Sequence, residues 1–384
     1  MIGFLFATLL LTDRPRPPQP LPRSTAPVAA DTVSADTVAA DTVAADTTPT
    51  VTIGGFLDTY VAWDSHRPST LDRRFTTGAA RHSEFNINLA VLDATISAPR
   101  LRGRFAIQYG TSVQANYAGE PRVGQLSGPE VSRFIQEAYA GLKVAPTLWV
   151  DAGVFLAPFG AENWISRDNP VYTRSLIADN SPYYESGVRA SWQPKPQLQL
   201  QLHVINGWQN ISETNSSKAV AVRADWTASP AWTIAYDAFV GNEQPDSLPG
   251  RLRQFHELIV RWTPVAGTSL TATMDVGLQE RGAGHHDQWQ GMAVLLQHRL
   301  SPTLQLGGRI EAYADPSQVV VSTGLPNGLR ATGGSINLDA QLHRQVVWRT
   351  EARRLMASTS VFPAGRGSLT RDNVVLVTSL ALTF

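Results

Sequence analysis

The sequence predicts an all-β protein: a transmembrane, antiparallel, up-and-down β-barrel of about sixteen strands. Three observations predict it. From residue 51 onward the chain breaks into segments of about ten residues in which apolar and polar side chains alternate, as in "LQLQLHV" at 198–204. Successive side chains of a strand point to opposite faces, so each segment has one apolar and one polar side. The links between segments alternate short and long along the whole chain. Six of the ten tryptophans lie within four residues of a short link.

Ahead of the first strand, "MIGFLFATLLLT" has the apolar character of a secretory signal, although no Lys or Arg precedes it. A small-residue stretch, "VAA" before Asp31, provides a cleavage site, and residues 1–30 are assigned to a signal or targeting segment. Residues 31–50 carry a five-residue Ala/Asp/Thr/Val repeat with no aromatic residue and no amphipathic period, the composition of a disordered linker. The barrel occupies 51–384.

The sixteen segments are 51–65, 85–97, 101–117, 132–144, 147–156, 184–193, 197–207, 217–227, 231–242, 253–263, 268–279, 288–298, 303–314, 332–343, 346–356 and 372–384. Each is long enough for a tilted strand to cross a bilayer, about ten residues. Even-numbered segments are followed by tight links: "APR", "AP", "PKP", "ASP", "PVAG", "LSP" and "RQ". Proline ends a ladder because it has no N–H to donate. Odd-numbered segments are followed by longer polar loops. Short turns at one end and long loops at the other are the organisation of outer-membrane barrels, with both chain ends on the periplasmic, short-turn side. Trp149, Trp192, Trp226, Trp232, Trp262 and Trp348 come from six different segments and share the short-turn level. An indole favours that interface because its ring is apolar and its N–H seeks a partner.

Composition narrows the function classes. Thirty-two basic residues balance thirty-two acidic ones, without the basic excess of a nucleic-acid binder. There is no cysteine, hence no disulfide framework, cysteine metal site or lipidated N-terminal cysteine. No apolar run approaches the roughly 18 residues of a membrane helix. No dinucleotide, phosphate-loop, nucleophile-elbow or zinc-protease motif is present. "HHD" at 285–287 falls in a polar loop without a further ligand nearby, so neither a metal nor a cofactor is assigned. His203 and His343 fall on the polar face and His256 on the apolar one, with no localised serine–histidine constellation, so no catalytic residue is assigned.

The polar face is the chemically informative one. It collects Asp151, Glu185, Arg189, Arg223, Asp225, Asp237, Glu257, Arg261, Asp275, Arg309, Glu311, Asp339, Arg349, Glu351 and Arg353. Burying that many charges in a dry core would cost several kcal/mol per ion against a total stability of about 5–15 kcal/mol. The charged face is therefore expected to meet water as a pore lining, with the leucines of "LQLQLHV" against lipid. Mixed signs predict only weak ion selectivity. The loop at 157–182 is the longest connection, yet it contains Phe159, Trp164, Ile165, Val171, Tyr172, Leu176 and Ile177. Such groups seek burial, which predicts folding into the barrel, where Glu162, Arg167, Asp168, Arg174 and Asp179 would form a constriction.

The chain ends on "LVTSLALTF", with Phe384 in register with the apolar face, and this resembles the terminal strand of bacterial outer-membrane proteins. The stretch "DAGVFLAPFGAENWISRDNPVYTRSLIADNSPYYESGVRASW" (151–192) resembles the putative β-barrel porin-2 family. The likeness rests on "G-x-F-x-x-P-F-G-x-E" from Gly153 to Glu162, Asn169, "YTRS" at 172–175, "SGVR" at 186–189 and "VINGW" at 204–208. The resemblance implies a porin-like barrel in the bacterial outer membrane and no solute preference. The expected function is passive diffusion of small hydrophilic solutes or ions, with membrane lipid and those solutes as partners and no nucleic acid. A homo-oligomer is left open. The competing classes are a structural or adhesive barrel with a blocked lumen and an outer-membrane hydrolase. Single-channel conductance separates a channel from both.

Overall fold

The computed structural model describes residues 48–282 and 284–384. The segment read as a signal and all but the last residues of the repeat linker lie outside the described residues. Sixteen strands form one closed antiparallel barrel. They are β1 Thr50–Asp64, β2 Phe85–Ser97, β3 Leu101–Tyr109, β4 Ile135–Ala145, β5 Leu148–Leu156, β6 Tyr184–Lys195, β7 Leu198–Ile205 and β8 Ala219–Ser229. The second half continues with β9 Trp232–Asn242, β10 Leu252–Val265, β11 Thr268–Gly282, β12 His285–Arg299, β13 Leu304–Asp315, β14 Leu329–His343, β15 Val346–Ala357 and β16 Asp372–Thr383. Each strand pairs with its sequence neighbours. The ring closes through β1 and β16, from Phe56 opposite Thr383 to Asp64 opposite Val375. Closure removes both free edges.

The predicted strands hold, with three local departures. The segment 101–117 divides at Gly110, whose φ of 142° is reached easily only by glycine, and whose place a Cβ would fill within 2.3 Å of the Asn88 carbonyl. Strand β3 stops there and a helix, Thr111–Asn116, follows. A second short helix, Pro129–Ser132, takes the first residue expected in β4, and the strand begins only at Ile135. "HHD" is the beginning of β12 and not a loop. Strands β11 and β12 run longer than expected, with Gly282 paired to His285, so theirs is the one odd-numbered link that is short.

Exposure alternates along the strands as the sequence pattern requires. Leu202, Val222, Leu258, Ile336, Leu338, Leu376 and Leu380 point outward and are exposed, while Asp237, Glu257, Glu351 and Arg349 point inward and are buried. Trp192, Trp226, Trp232, Trp262 and Trp348 all lie outward near the short-turn rim, and the rings of Trp232 and Trp262 stack 5.6 Å apart. Trp149 is the exception. It shares the inward face of β5 with buried Asp151, and the Arg102 guanidinium lies 4.7 Å from its ring centre. Its parity within β5 outweighs its position near a short turn.

Candidate functional site

The connection between β5 and β6 enters the barrel. Its apolar residues find burial against inward-facing aromatics at the long-loop end. Phe159 packs edge-on to Phe255, with ring centres 5.4 Å apart, and lies beside Trp208, which in turn touches Phe239 and Trp289. Backbone groups of the loop, which in an apolar interior would need partners, are satisfied by the charged wall. Gly160 N–H donates to Glu257 at 2.8 Å. The Pro158 carbonyl accepts from Arg223.

Farther along, Ser166 and Tyr172 donate to Asp58 of β1 at 2.9 and 3.1 Å. The carbonyls of Ser166 and Asn169 accept from Arg349. Thr173 donates through its N–H (2.5 Å) and hydroxyl (2.9 Å) to Glu351, and its carbonyl accepts from Arg309. Leu176 N–H donates to Glu311 at 2.7 Å, opening a one-turn helix, Leu176–Asp179, capped by Ser175. Two wall glycines admit the loop. A Cβ on Gly307 of β13 would lie 1.8 Å from the Pro170 carbonyl oxygen, and one on Gly291 of β12 would lie 3.3 Å from Ile177.

The five charged loop residues are placed as follows. Glu162 is buried, accepts from the N–H and hydroxyl of Ser175, and lies 3.7 Å from Arg309. Burial pushes its carboxyl above the ordinary glutamate range, against the opposing pull of Arg309 and the Ser175 hydrogen bonds. Arg174 is buried between Asp179 (3.1 Å), Thr77 and the face of Tyr183, 3.7 Å from the ring centre. Arg167 is half-buried and reaches the short-turn rim, where it donates to Thr383 and the Arg344 carbonyl. Asp168 is exposed.

The wall charges divide into two environments. On β13 to β15, Arg309, Glu311, Asp339, Arg349, Glu351 and Arg353 are brought together and covered by the loop. Arg353 meets Glu311 at 2.9 Å, Arg349 meets Asp339 at 2.7 Å and Arg309 meets Glu311 at 3.1 Å. The alternation of the strands predicts these charges in water. Here the cost of removing them from it is offset by mutual pairing and by hydrogen bonds to the loop backbone. Asp237, Glu257 and Asp275 stand directly opposite one another on β9, β10 and β11. Arg223 bonds Asp237 at 3.2 Å, and Thr273 donates to Glu257 at 2.7 Å.

The other environment is the inward face of β2 to β8. Asp93, Arg102, Arg104, Arg189, Arg223 and Asp225 remain partly exposed there, as Arg261 does on β10. Carboxylates sit beneath guanidiniums. Asp151 is fully buried under Arg102, which binds it through two nitrogens at 2.7 and 2.6 Å, and under Arg189 at 2.9 Å. Buried Glu137 pairs with Arg104. Glu185 is buried against His203, at 2.7 Å, whose other ring nitrogen meets Gln201 at 3.1 Å. His256 lies outward, bonded to Tyr236 at 2.7 Å, and His343 is exposed.

Sequence reasoning missed Asp58, Arg102, Arg104 and Glu137, all inward residues of the first four strands. Extending the alternation of "LRGRFAI" at 101–107 would have put Arg102 and Arg104 on the inner face.

The family described as putative beta-barrel porin-2, OmpL-like matches residues 50–384. No curated protein matches the chain. Among solved structures, an anion-selective porin from Comamonas acidovorans aligns with a TM-score of 0.58 at 9% identity, covering 88% of this chain and 100% of that one. Salmonella typhi OmpF in complex with daunomycin gives 0.57 at 12% identity, covering 87% and 97%. Pseudomonas putida OprB at high pH gives 0.56 at 10% identity, covering 87% and 94%. At these identities the likeness is one of fold.

Proposed function

Because the chain belongs to the putative β-barrel porin-2, OmpL-like family, whose architecture it shares with outer-membrane porins, we propose that it is a passive diffusion channel for small hydrophilic solutes and ions. One observation carries this reading. The β5–β6 loop packs against the inner face of β8 to β16 and β1, while the face from β2 to β8 keeps partly exposed charged side chains. The passage runs along that strip to the short-turn end, taken as periplasmic, where both barrel ends lie.

The signs along the strip refine the expectation of weak selectivity. Four arginines (Arg102, Arg104, Arg189 and Arg223) face the lumen beside two partly exposed carboxylates, Asp93 and Asp225, while Asp151 and Glu137 are hidden behind them. A modest preference for anions follows, because the guanidiniums set the potential that a passing ion meets. Planar-bilayer recording under a salt gradient tests both points. Open currents with a reversal potential shifted toward anions, reduced by Arg102→Ala together with Arg104→Ala, support the channel. A silent barrel would instead favour the blocked-lumen reading, for which the depth of the loop's burial speaks.

A further inference from the structure

The outward faces of the barrel are apolar over most of the circumference, and β10 to β15 depart from that rule. In register across them runs an outward row of Leu258, Met274, Met292, Ala312, Thr332 and Met356. The chain has four methionines, and every one except Met1 stands in this row. Small Ala312, with Ala314 two residues beyond it, separates Met292 from Met356, and the wall is hollowed there into a depression of about 790 Å³. An unbranched thioether side chain adapts to an irregular guest better than a branched one.

Arg330 lines the hollow, and a second arginine, Arg354, stands farther along the same outward face. Arg330 points outward on β14, and Arg354 points outward on β15 between Gly334 and Val374. Outward positions in the middle of the other strands hold no arginine or lysine. Among the described residues neither guanidinium has a hydrogen-bonding or ionic partner. Arg354 lies six residues beyond Trp348 of the tryptophan belt. At about 3.3 Å per residue and a tilt of about 45°, that is roughly 14 Å into an apolar band about 25 Å tall. Exposed Ile336 and Ile310 lie nearby on the same face. A cation at that depth is costly unless it snorkels to the headgroup level or meets an anion.

We propose that this face holds one phosphorylated lipid of the surrounding leaflet, with its phosphate on Arg330 and Arg354 and an acyl chain in the hollow between the methionines. Phosphate matches the forked geometry of a guanidinium. A second copy of the chain fits less well. Its outward carboxylates, Glu280 and Asp372, stand at the long-loop ends of β11 and β16, so it brings no counter-charge to the depth of Arg354.

The test uses the folded full-length barrel in detergent and native mass spectrometry. Diphosphorylated lipid A is the probe, and its dephosphorylated form is the control. Heat-dependent electrophoretic mobility verifies that each variant is folded. One lipid A per barrel is expected, with retention at least about tenfold weaker for Arg330→Gln/Arg354→Gln and for the dephosphorylated lipid. Ala312→Leu, which fills the hollow and spares both arginines, should weaken retention as well. Equal retention by wild type and the double variant overturns the proposal, and so does displacement of the lipid by excess inorganic phosphate. Multimers that survive delipidation and disperse in the double variant would also overturn it, by making this face a contact between copies. Lipid bound to a barrel that conducts nothing would leave this site standing and remove the channel.

Discussion

At Gly307 one methyl group decides whether the β5–β6 loop can lie where it does. The Pro170 carbonyl oxygen occupies the space that any side chain would need, so Gly307→Ala must displace the loop or strain β13. The expected outcome is a larger single-channel conductance, with a stability loss of about 1–3 kcal/mol from overpacking. Glu162 gives a second residue-scale prediction. Its folded-state pKa is raised by burial, so the neutral form is the one the docked loop favours. That contribution is present below the ordinary glutamate range and is lost as pH rises through the raised value. Glu162→Gln fixes the neutral state. Its melting temperature should therefore change less than that of the wild type between about pH 4 and about pH 7. A parallel shift of both proteins would show that Glu162 does not report on docking.

At the scale of elements, the loop is the piece whose removal is most informative. Excising about fifteen residues around Trp164 to Ala178 should raise conductance, because Arg309, Arg349 and Glu351 would then face the lumen in place of Thr173 and Asn169. Unchanged conductance in a folded barrel would mean that the loop is not the constriction. The strands themselves were legible because alternation is a local property, and proline and short links mark their ends. The helix Thr111–Asn116 was not, because its residues continue a plausible strand and the interruption comes from the single backbone conformation of Gly110. The route of the loop was legible only as a need for burial. Which wall residues meet it depends on pairings across more than a hundred positions, such as Thr173 with Glu351. The family-like residues Glu162 and Tyr172–Ser175 turn out to be those that dock the loop.

For the whole molecule, the decisive property is which face is inside. The outward position of Val204, about four residues beyond the level of Trp192, puts it within the lipid band, whereas Gln201 points inward. Val204→Arg should destabilise the barrel by about 2–4 kcal/mol and Gln201→Arg by far less. Denaturant unfolding in lipid vesicles measures both, and a larger loss at Gln201 would reverse the assignment. The same architecture ties the interior to the seam. The loop that leaves β5 donates to Asp58 of β1 and to Thr383 of β16, the two strands that close the ring, and it also holds β13 and β15. Apart from Asp58, which precedes the loop in the chain, these partners belong to strands made after it. A sheet that has gathered only its first half presents a tethered segment with unmet hydrogen bonds, and the late strands supply what it lacks. The seating of the loop and the joining of the first strand to the last are thus held by the same side chains: the loop is a clasp across the seam.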